Sequence, residues 1–312
     1  MENVMLSIYV TTYNHENYIV RALDSILMQK TRYSYEVFVG EDCSTDNTRQ
    51  VLRQWEQNHP GVFTILYREQ NMRTLGLSNA RDLKERCTGK YIICLEGDDF
   101  WTDPLKLEKQ ITFLEEHPDY YCVAHNCTVV GEDSMPNGET YPQCEENHYT
   151  LRHYAGEVLP GQLATMLYRN YMTDPGFDRW LVDHGAPPGD RNLIFSIACQ
   201  GKIYCMQEAM SAYRHITSGG SSFSANHRYQ FENEELAMRR RLEFARRLHN
   251  EEAEKYAEML YLRNLRYAKR RGYVDAAAYK EYKKQIHHMI RTRMLLLRRD
   301  INYHLLRRKK QL

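Results

Sequence analysis

The chain has 312 residues, 42% of them hydrophobic, enough for a real core in one large or two ordinary domains. No apolar run approaches the ~18 residues of a membrane span, and "MENVMLSIYV" lacks a basic segment before a long apolar stretch, so neither a spanning helix nor a signal peptide is expected. The net charge of +1 hides a division: residues 239–312 hold 22 Lys and Arg against 8 Asp and Glu, a net +14, which leaves the rest of the chain at −13.

In chain order, "LSIYVT" (6–11) has the alternating apolar pattern of a strand, and "YIVRALDSILMQ" (18–29) sets Ile19, Ala22, Leu23, Ile26 and Leu27 on one helical stripe. A second strand, "YEVFVGED" (35–42), ends in acids. The next helix opens on the capping types of "TDNT" and stops at Pro60-Gly61. A third strand is expected over 62–69, a helix over 77–90, and a strand over 91–95, "YIICL". Four such alternations predict βαβ units: a mostly parallel sheet with helices on both faces. A helix over 104–118 and a strand over 119–130 follow; 131–150 reads as loop, and from about 226 the chain is almost wholly helix-forming, interrupted by Gly272. The eight cysteines form no C-x-x-C pair, which argues against a zinc ribbon and for reduced thiols in a cytoplasmic protein.

In open parallel sheets ligands bind outside the carboxyl ends of the strands. Here those ends are Thr11-Thr12-Tyr13-Asn14, Glu41-Asp42 and Glu96-Gly97-Asp98-Asp99. Carboxylates so crowded repel one another unless a cation neutralises them, and Mg²⁺ or Mn²⁺ does this with one or two carboxylates and substrate phosphates. The competing reading is an acidic turn that caps the next helix, which suits Asp103 before Pro104.

Five blocks, in order, resemble the family 2 glycosyltransferases of the GT-A fold, a Rossmann-like α/β architecture: "VTTYNHENYIVRALDSILMQ", "VGEDCSTDNT", "LGLSNARDLKERCTGKYI", "LEGDDFWTDPLKLEKQ", and "PPGDRNLIFSIACQGK" with "YRHITSGGSS". The resemblance covers residues 4–222. It implies that Thr11, Thr12 and Tyr13 shape a nucleotide-base pocket, that Asp42 accepts from a uracil N–H, and that Arg81 lies near the phosphates. It also implies that Asp98 touches ribose or sugar, that Asp99 binds the metal (Mn²⁺ or Mg²⁺), that His215 helps hold diphosphate or metal, and that Asp190 is the general base of an inverting transfer from a nucleotide-sugar donor, UDP by preference. Other readings stay open from the residues alone. Arg81 could pair with Asp82 or Glu85, Asp190 could cap its helix, His215 and Tyr13 could be partly buried packing residues, and Trp101 either walls the sugar or packs the core.

The sequence departs from the family pattern at Thr11, where Pro is common, at Glu41 in place of Asp, and at Glu96-Gly97-Asp98 in place of Asp-x-Asp. A Q-x-x-R-W motif is absent, which favours adding a single sugar to a glycan or lipid-linked acceptor over processive synthesis. Rival functions are a nucleotidyltransferase, whose Gly-rich phosphate loop "TTYNHENY" lacks, and a non-catalytic nucleotide-sugar-binding protein. The domains expected are a GT-A domain over 1–224 and a basic helical extension over 225–312.

In that extension Ile286, Ile290, Met294, Leu297, Ile301 and Leu305 recur every three or four residues among Arg291, Arg293, Arg298, Arg299, Arg307 and Arg308. The pattern fits an amphipathic helix on an anionic membrane surface, the inner face of the plasma membrane, through 281–312. It equally fits a helix packed on its own domain or on a second subunit. Nucleic acid is disfavoured, since no nucleic-acid module accompanies the charge.

Overall fold

A computed structural model of the chain describes residues 4–185, 189–216 and 228–309, and the side chains of these save 302–309. The expected boundary at 224/225, Pro187, Pro188, most of the "YRHITSGGSS" segment and the side chains of Leu305, Arg307 and Arg308 lie outside the described residues. The chain divides into two compact units: one is 1–149, 159–177 and 201–227, the other 150–158, 178–200 and 228–312. The helical unit thus takes in two segments beyond a simple C-terminal extension.

In the first unit the alternating start of the chain folds as β1 (Leu6–Thr12), α1 (Ile19–Leu27), β2 (Tyr35–Glu41), α2 (Thr48–Asn58), β3 (Thr64–Tyr67), α3 (Asn79–Arg86) and β4 (Tyr91–Glu96). β5 (Phe100–Trp101), α4 (Lys106–Glu116), β6 (Tyr120–Val130), β7 (His148–Tyr149), β8 (Leu167–Arg169) and β9 (Lys202–Arg214) complete it. The sheet runs β3-β2-β1-β4-β8-β6-β9-β5, with β7 beside β9. β3, β2, β1 and β4 are mutually parallel; β8 runs antiparallel to β4 and β6, while β6 and β9 are again parallel.

The period-2 and period-3.6 patterns explain the packing. Leu6, Ile8 and Val10 of β1 with Tyr91, Ile93 and Leu95 of β4 form one core with Ile19, Ala22, Leu23 and Ile26 of α1, Leu52 and Trp55 of α2, and Leu107, Ile111 and Leu114 of α4. Burying each large aliphatic side chain stabilises the fold by about 1.5–3 kcal/mol. α3 packs on β1 and β2 with Leu83 buried. Asn79 at its start donates to the Gly40 carbonyl at 2.8 Å.

The helical unit contains α5 (Leu151–Ala155), α6 (Trp180–His184), α7 (Asp190–Gln200), and a series we number α8 (Phe231–Arg247), α9 (Glu251–Arg271), α10 (Ala276–Tyr282) and α11 (Met289–Lys309). Gly272 ends α9 in the left-handed conformation, φ 78°, as its place in the sequence predicts. The break before α11 has a different cause. Glu258 on α9 is fully buried, and its Oε1 accepts from the backbone N–H groups of His287 and His288 at 2.7 and 3.2 Å. Its Oε2 accepts from the Thr292 hydroxyl at 2.9 Å. A carboxylate from one helix therefore caps the start of another.

Glu254, Glu258 and His288 place potential ligand atoms within 4.8 Å of one another. Both carboxylates are already bonded to Arg246, at 2.7 Å from Glu254 and 3.5 Å from Glu258, so the group is an ion-paired cap. Burial pushes the Glu258 pKa up, but the bonds from Thr292, His288 and His287 pull it further down, leaving it below its ordinary value. A depressed carboxyl contributes stability that is present above the unfolded value of about 4.3 and lost as pH falls through the folded one. Glu258→Ala is expected to cost about 3 kcal/mol at pH 7. It should also flatten the decline of Tm between about pH 5 and pH 3; a thermal melt series across that range checks both.

Candidate functional site

Three parallel strands end at one level. Thr11 lies opposite Gly40 of β2 and Glu96 of β4, and Thr12 opposite Glu41. Asn14 and Cys43, just beyond β1 and β2, adopt left-handed backbone with φ 58° and 57°. The two turns are tied together: the Asn14 side chain accepts from the Thr45 N–H at 2.8 Å, and Ser44 Oγ accepts from the Asn14 N–H at 3.0 Å. His15 N–H donates to Thr48 Oγ1 at 2.7 Å, fixing the approach to α1 against the start of α2.

These ends enclose a cleft of about 360 Å³, within the size range of small-ligand sites. Thr11, Thr12, Tyr13, Asp42, Asp98 and His215 line it, so six of the ten residues singled out from the sequence share one cleft. Glu96, His15 and Arg214 line it as well. Gly97 is required by the closeness of the two tips: a Cβ there would sit 2.8 Å from His15 Nδ1 and 2.9 Å from Thr12 Oγ1.

Each acid has a distinct environment. Glu41 is fully buried and structural; it accepts from the Ser44 N–H and from Arg49 Nε, both at 2.6 Å. Asp42 accepts from the Met72 N–H at 2.8 Å and from Asn71 Nδ2 at 3.2 Å. Burial raises its pKa; the Met72 N–H and Arg68 oppose this, and Glu41 adds to it. Asp98 faces His15 Nε2 at 3.9 Å. Burial lowers the His15 pKa against the pull of Asp98 and Asp46, with Arg214 adding to the lowering, which favours the neutral imidazole.

Asp99 departs from expectation. It is 2% exposed and absent from the cleft lining, with Oδ1 accepting from the Arg214 N–H at 2.8 Å and Oδ2 from Gln162 Nε2 at 3.0 Å. Gln162 also donates to Glu96 at 2.9 Å, so one amide bridges the two acids. Burial drives the Asp99 pKa well above the usual range, and Asp98 and Glu96 drive it the same way. Arg214 braces this loop: its Nε donates to the Asp98 carbonyl at 2.9 Å, its terminal nitrogens to Glu132 O at 3.0 Å and Ser134 Oγ at 2.8 Å, and it lies 4.1 Å over the Tyr18 ring.

The donor set fits a hard divalent cation. Glu96 and Asp98 supply cleft-lining carboxylates, their mutual repulsion with Asp99 is unfavourable without added positive charge, and Thr12 Oγ1 and His15 Nδ1 are buried without a hydrogen-bond partner.

Three expected residues sit elsewhere. Trp101 is 1% exposed and belongs to the core: its indole N–H donates to the Ala164 carbonyl at 3.0 Å, and Lys106 Nζ lies 4.2 Å over its ring. Its strand, β5, pairs with β9 and turns the side chain inward. Arg81 is largely exposed on α3, with Nε donating to Glu85 at 3.1 Å; its neighbours Asn79 and Ala80 line the cleft instead. Asp190 belongs to the helical unit, where it is exposed, begins α7 and accepts from the Arg191 N–H at 2.7 Å. His215 is in the lining, with Nδ1 bonded to Glu139. His15, Gln162 and Arg214 were not singled out from the sequence; the signal for Arg214 was its place beside His215 at the end of β9.

Comparison with known proteins adds four findings. Residues 7–171 match the family described as Glycosyl transferase family 2. The uncharacterized protein Rv1520 of Mycobacterium tuberculosis is 31% identical over 215 residues, 69% of this chain and 60% of that protein. The Escherichia coli protein WfgD, named a UDP-Glc:alpha-D-GlcNAc-diphosphoundecaprenol beta-1,3-glucosyltransferase, is 28% identical over 153 residues, 47% of this chain and 57% of that one. The chain thus spans about 60% of the length of such relatives. Among solved structures, S. aureus TarS 1-349 in complex with UDP-GlcNAc superposes with TM-score 0.60 at 20% identity, covering 84% of this chain and 71% of that one, a likeness of fold. No described helix is long and apolar enough to cross a membrane.

Proposed function

Because the chain belongs to glycosyl transferase family 2, we propose that it transfers a single sugar, with inversion, from a UDP-sugar to a hydroxyl acceptor on a glycan or lipid carrier in cell-surface polysaccharide assembly. The observation that carries this reading is the convergence of Thr11, Thr12, Tyr13, Asp42, Glu96 and Asp98 on one cleft at the carboxyl ends of parallel strands. Tyr13 stacks on the base and Asp42 accepts its N–H. The UDP-GlcNAc bound by TarS and the UDP-Glc and diphosphoundecaprenol in the name of WfgD support the donor and acceptor classes.

Glu96 and Asp98 would hold Mg²⁺ or Mn²⁺, in place of the Asp99 first expected. Asp99 instead positions them through Gln162 and the Arg214 N–H. Such a cation supplies neutralisation of the charge that develops on a leaving diphosphate. His15 and Thr12 close the cation side of the cleft, and His215, held by Glu139, presents its free ring edge to the diphosphate. Asp190 takes the proton from the acceptor hydroxyl as it attacks, a role its exposed carboxylate at the start of α7 suits. The test is a screen, with and without Mn²⁺, of UDP-, GDP- and dTDP-sugars for hydrolysis and of the matching nucleoside triphosphates with a sugar 1-phosphate for pyrophosphate release. Release of UDP with Mn²⁺ supports the reading; release of pyrophosphate from a nucleotide triphosphate and sugar phosphate would instead make the chain a nucleotidyltransferase.

The tail is read as a peripheral membrane contact. On α11 one side is packed within its own unit, with Thr292 and Leu296 buried. Ile290, Met294, Leu297 and Ile301 are 78%, 55%, 60% and 49% exposed, spaced along one face beside the exposed Arg293 and Arg298. Apolar side chains flanked by arginines suit the boundary of an anionic bilayer. Leu297→Glu is expected to weaken sedimentation with phosphatidylglycerol vesicles at least ~10-fold; unchanged sedimentation, or a concentration-dependent dimer lost in the same variant, would assign this face to protein instead.

A further inference from the structure

The helical unit contains a cavity of about 740 Å³ that the transfer chemistry does not use. Five arginines line it, Arg191, Arg241, Arg263, Arg266 and Arg270, against three acids, Glu157, Glu234 and Asp300. Glu157 is already shared between Arg263 and Arg299, the latter at 2.8 Å. Arg191, Arg266 and Arg270 make no side-chain hydrogen bond or ion pair among the described residues.

The cavity also faces buried donors that lack partners. Tyr154, 2% exposed, has a hydroxyl with no hydrogen bond. Asn264, 6% exposed, uses its Oδ1 to accept from the Tyr229 hydroxyl at 2.9 Å, which leaves its Nδ2 unpaired. Arg241, 7% exposed, is pinned by its Nε to Asn192 Oδ1 at 2.7 Å, which holds the rest of the guanidinium at the cavity wall. Burial raises the Tyr154 pKa, and Arg241 and Arg191 oppose that rise, so both cations lie within electrostatic reach of the hydroxyl.

Buried polar groups are almost always satisfied in folded proteins, and an unpaired one costs stability. Two unpaired groups on one arginine-rich cavity, both able to donate, call for an acceptor-rich anion. Guanidinium groups match phosphate oxygens bidentately, and five arginines exceed what a single carboxylate would neutralise. The volume is several times that of a phosphate, and Met238, Leu260 and Leu296 give it an apolar wall.

We propose that this cavity binds a phosphate or diphosphate ester, with Tyr154, Asn264, Arg241 and Arg191 donating to the phosphate oxygens and the apolar wall meeting the esterified group. The site stands independently of the nucleotide-sugar reading, because every lining residue belongs to the helical unit. The ligand could be a soluble phosphate ester or the diphosphate end of a lipid.

The experiment is calorimetric titration of the full chain in EDTA with inorganic pyrophosphate and, separately, with farnesyl diphosphate. Saturable binding of pyrophosphate is expected, weakened at least ~10-fold by Tyr154→Phe and by Arg191→Gln, and unchanged by Asp98→Asn in the strand-end cleft. Arg191 is exposed and Tyr154→Phe removes one oxygen, so neither change threatens the fold. Tighter binding of farnesyl diphosphate than pyrophosphate supports the site with a lipid source; equal binding supports it with a soluble one. Absence of binding at millimolar pyrophosphate, or binding that ignores both substitutions, overturns the proposal.

Discussion

Asp98→Asn is expected to lower metal-dependent release of UDP from the donor by ~10³-fold while leaving the melting temperature within a few degrees of the parent. Asp98 lines the cleft, and among the described residues its side chain pairs with His15 at 3.9 Å, so removing its charge leaves the bonds that Asp99 makes to Gln162 and the Arg214 N–H in place. Loss of a cation ligand forfeits several kcal/mol of charge stabilisation in the transition state, and each 1.36 kcal/mol is tenfold in rate. Asp99→Asn makes the contrast. Its two oxygens hold Gln162 and the Arg214 N–H, so an amide at that position turns one acceptor into a donor inside a buried cluster. That variant is expected to lose about 1–3 kcal/mol of stability as well as activity. Equal activity loss with equal stability loss in the two variants would contradict the division of labour between these adjacent acids. Parallel rate and melting measurements decide it.

Asp190→Ala carries the second large effect. A positioned general base contributes ~10²–10⁴-fold, so kcat for transfer should fall in that range with the KM for the donor nearly unchanged. Among the described residues the carboxylate accepts a hydrogen bond from the adjacent Arg191 N–H, so its loss costs the start of α7 one local bond. Steady-state kinetics with varied donor at saturating acceptor separates the two parameters. Retained turnover would remove Asp190 from the mechanism.

Much of this was legible in the sequence because periodicity and strand-end chemistry are local. The four β/α alternations, the level ends of β1, β2 and β4, and the gathering of Thr11, Thr12, Asp42 and Asp98 all follow from short patterns. What failed was direction. In the tight turn after β4 neighbouring acids point to opposite sides, and sequence alone does not say which of Asp98 and Asp99 meets the cleft.

Trp101 was ambiguous for a related reason. Its inward aim depends on pairing with β9, a strand whose register against β6 shifts at several points and whose polar residues obscure its pattern. Arg81 sits one helical turn from Glu85, an interaction as local as the phosphate contact the family pattern suggested. The arginine-lined cavity was illegible because its walls come from segments near 154, 191 and 229–300, brought together only by tertiary packing.

The central claim is that Glu96 and Asp98 hold a cation that in turn holds the donor's diphosphate. Titration of UDP into the parent protein and into Asp98→Asn, with 1 mM Mn²⁺ and with EDTA, tests it most directly. Saturable binding by the parent with Mn²⁺, at least ~10-fold weaker in EDTA and equally weak in Asp98→Asn, is the predicted result. UDP binding of the same affinity in all four titrations would contradict it.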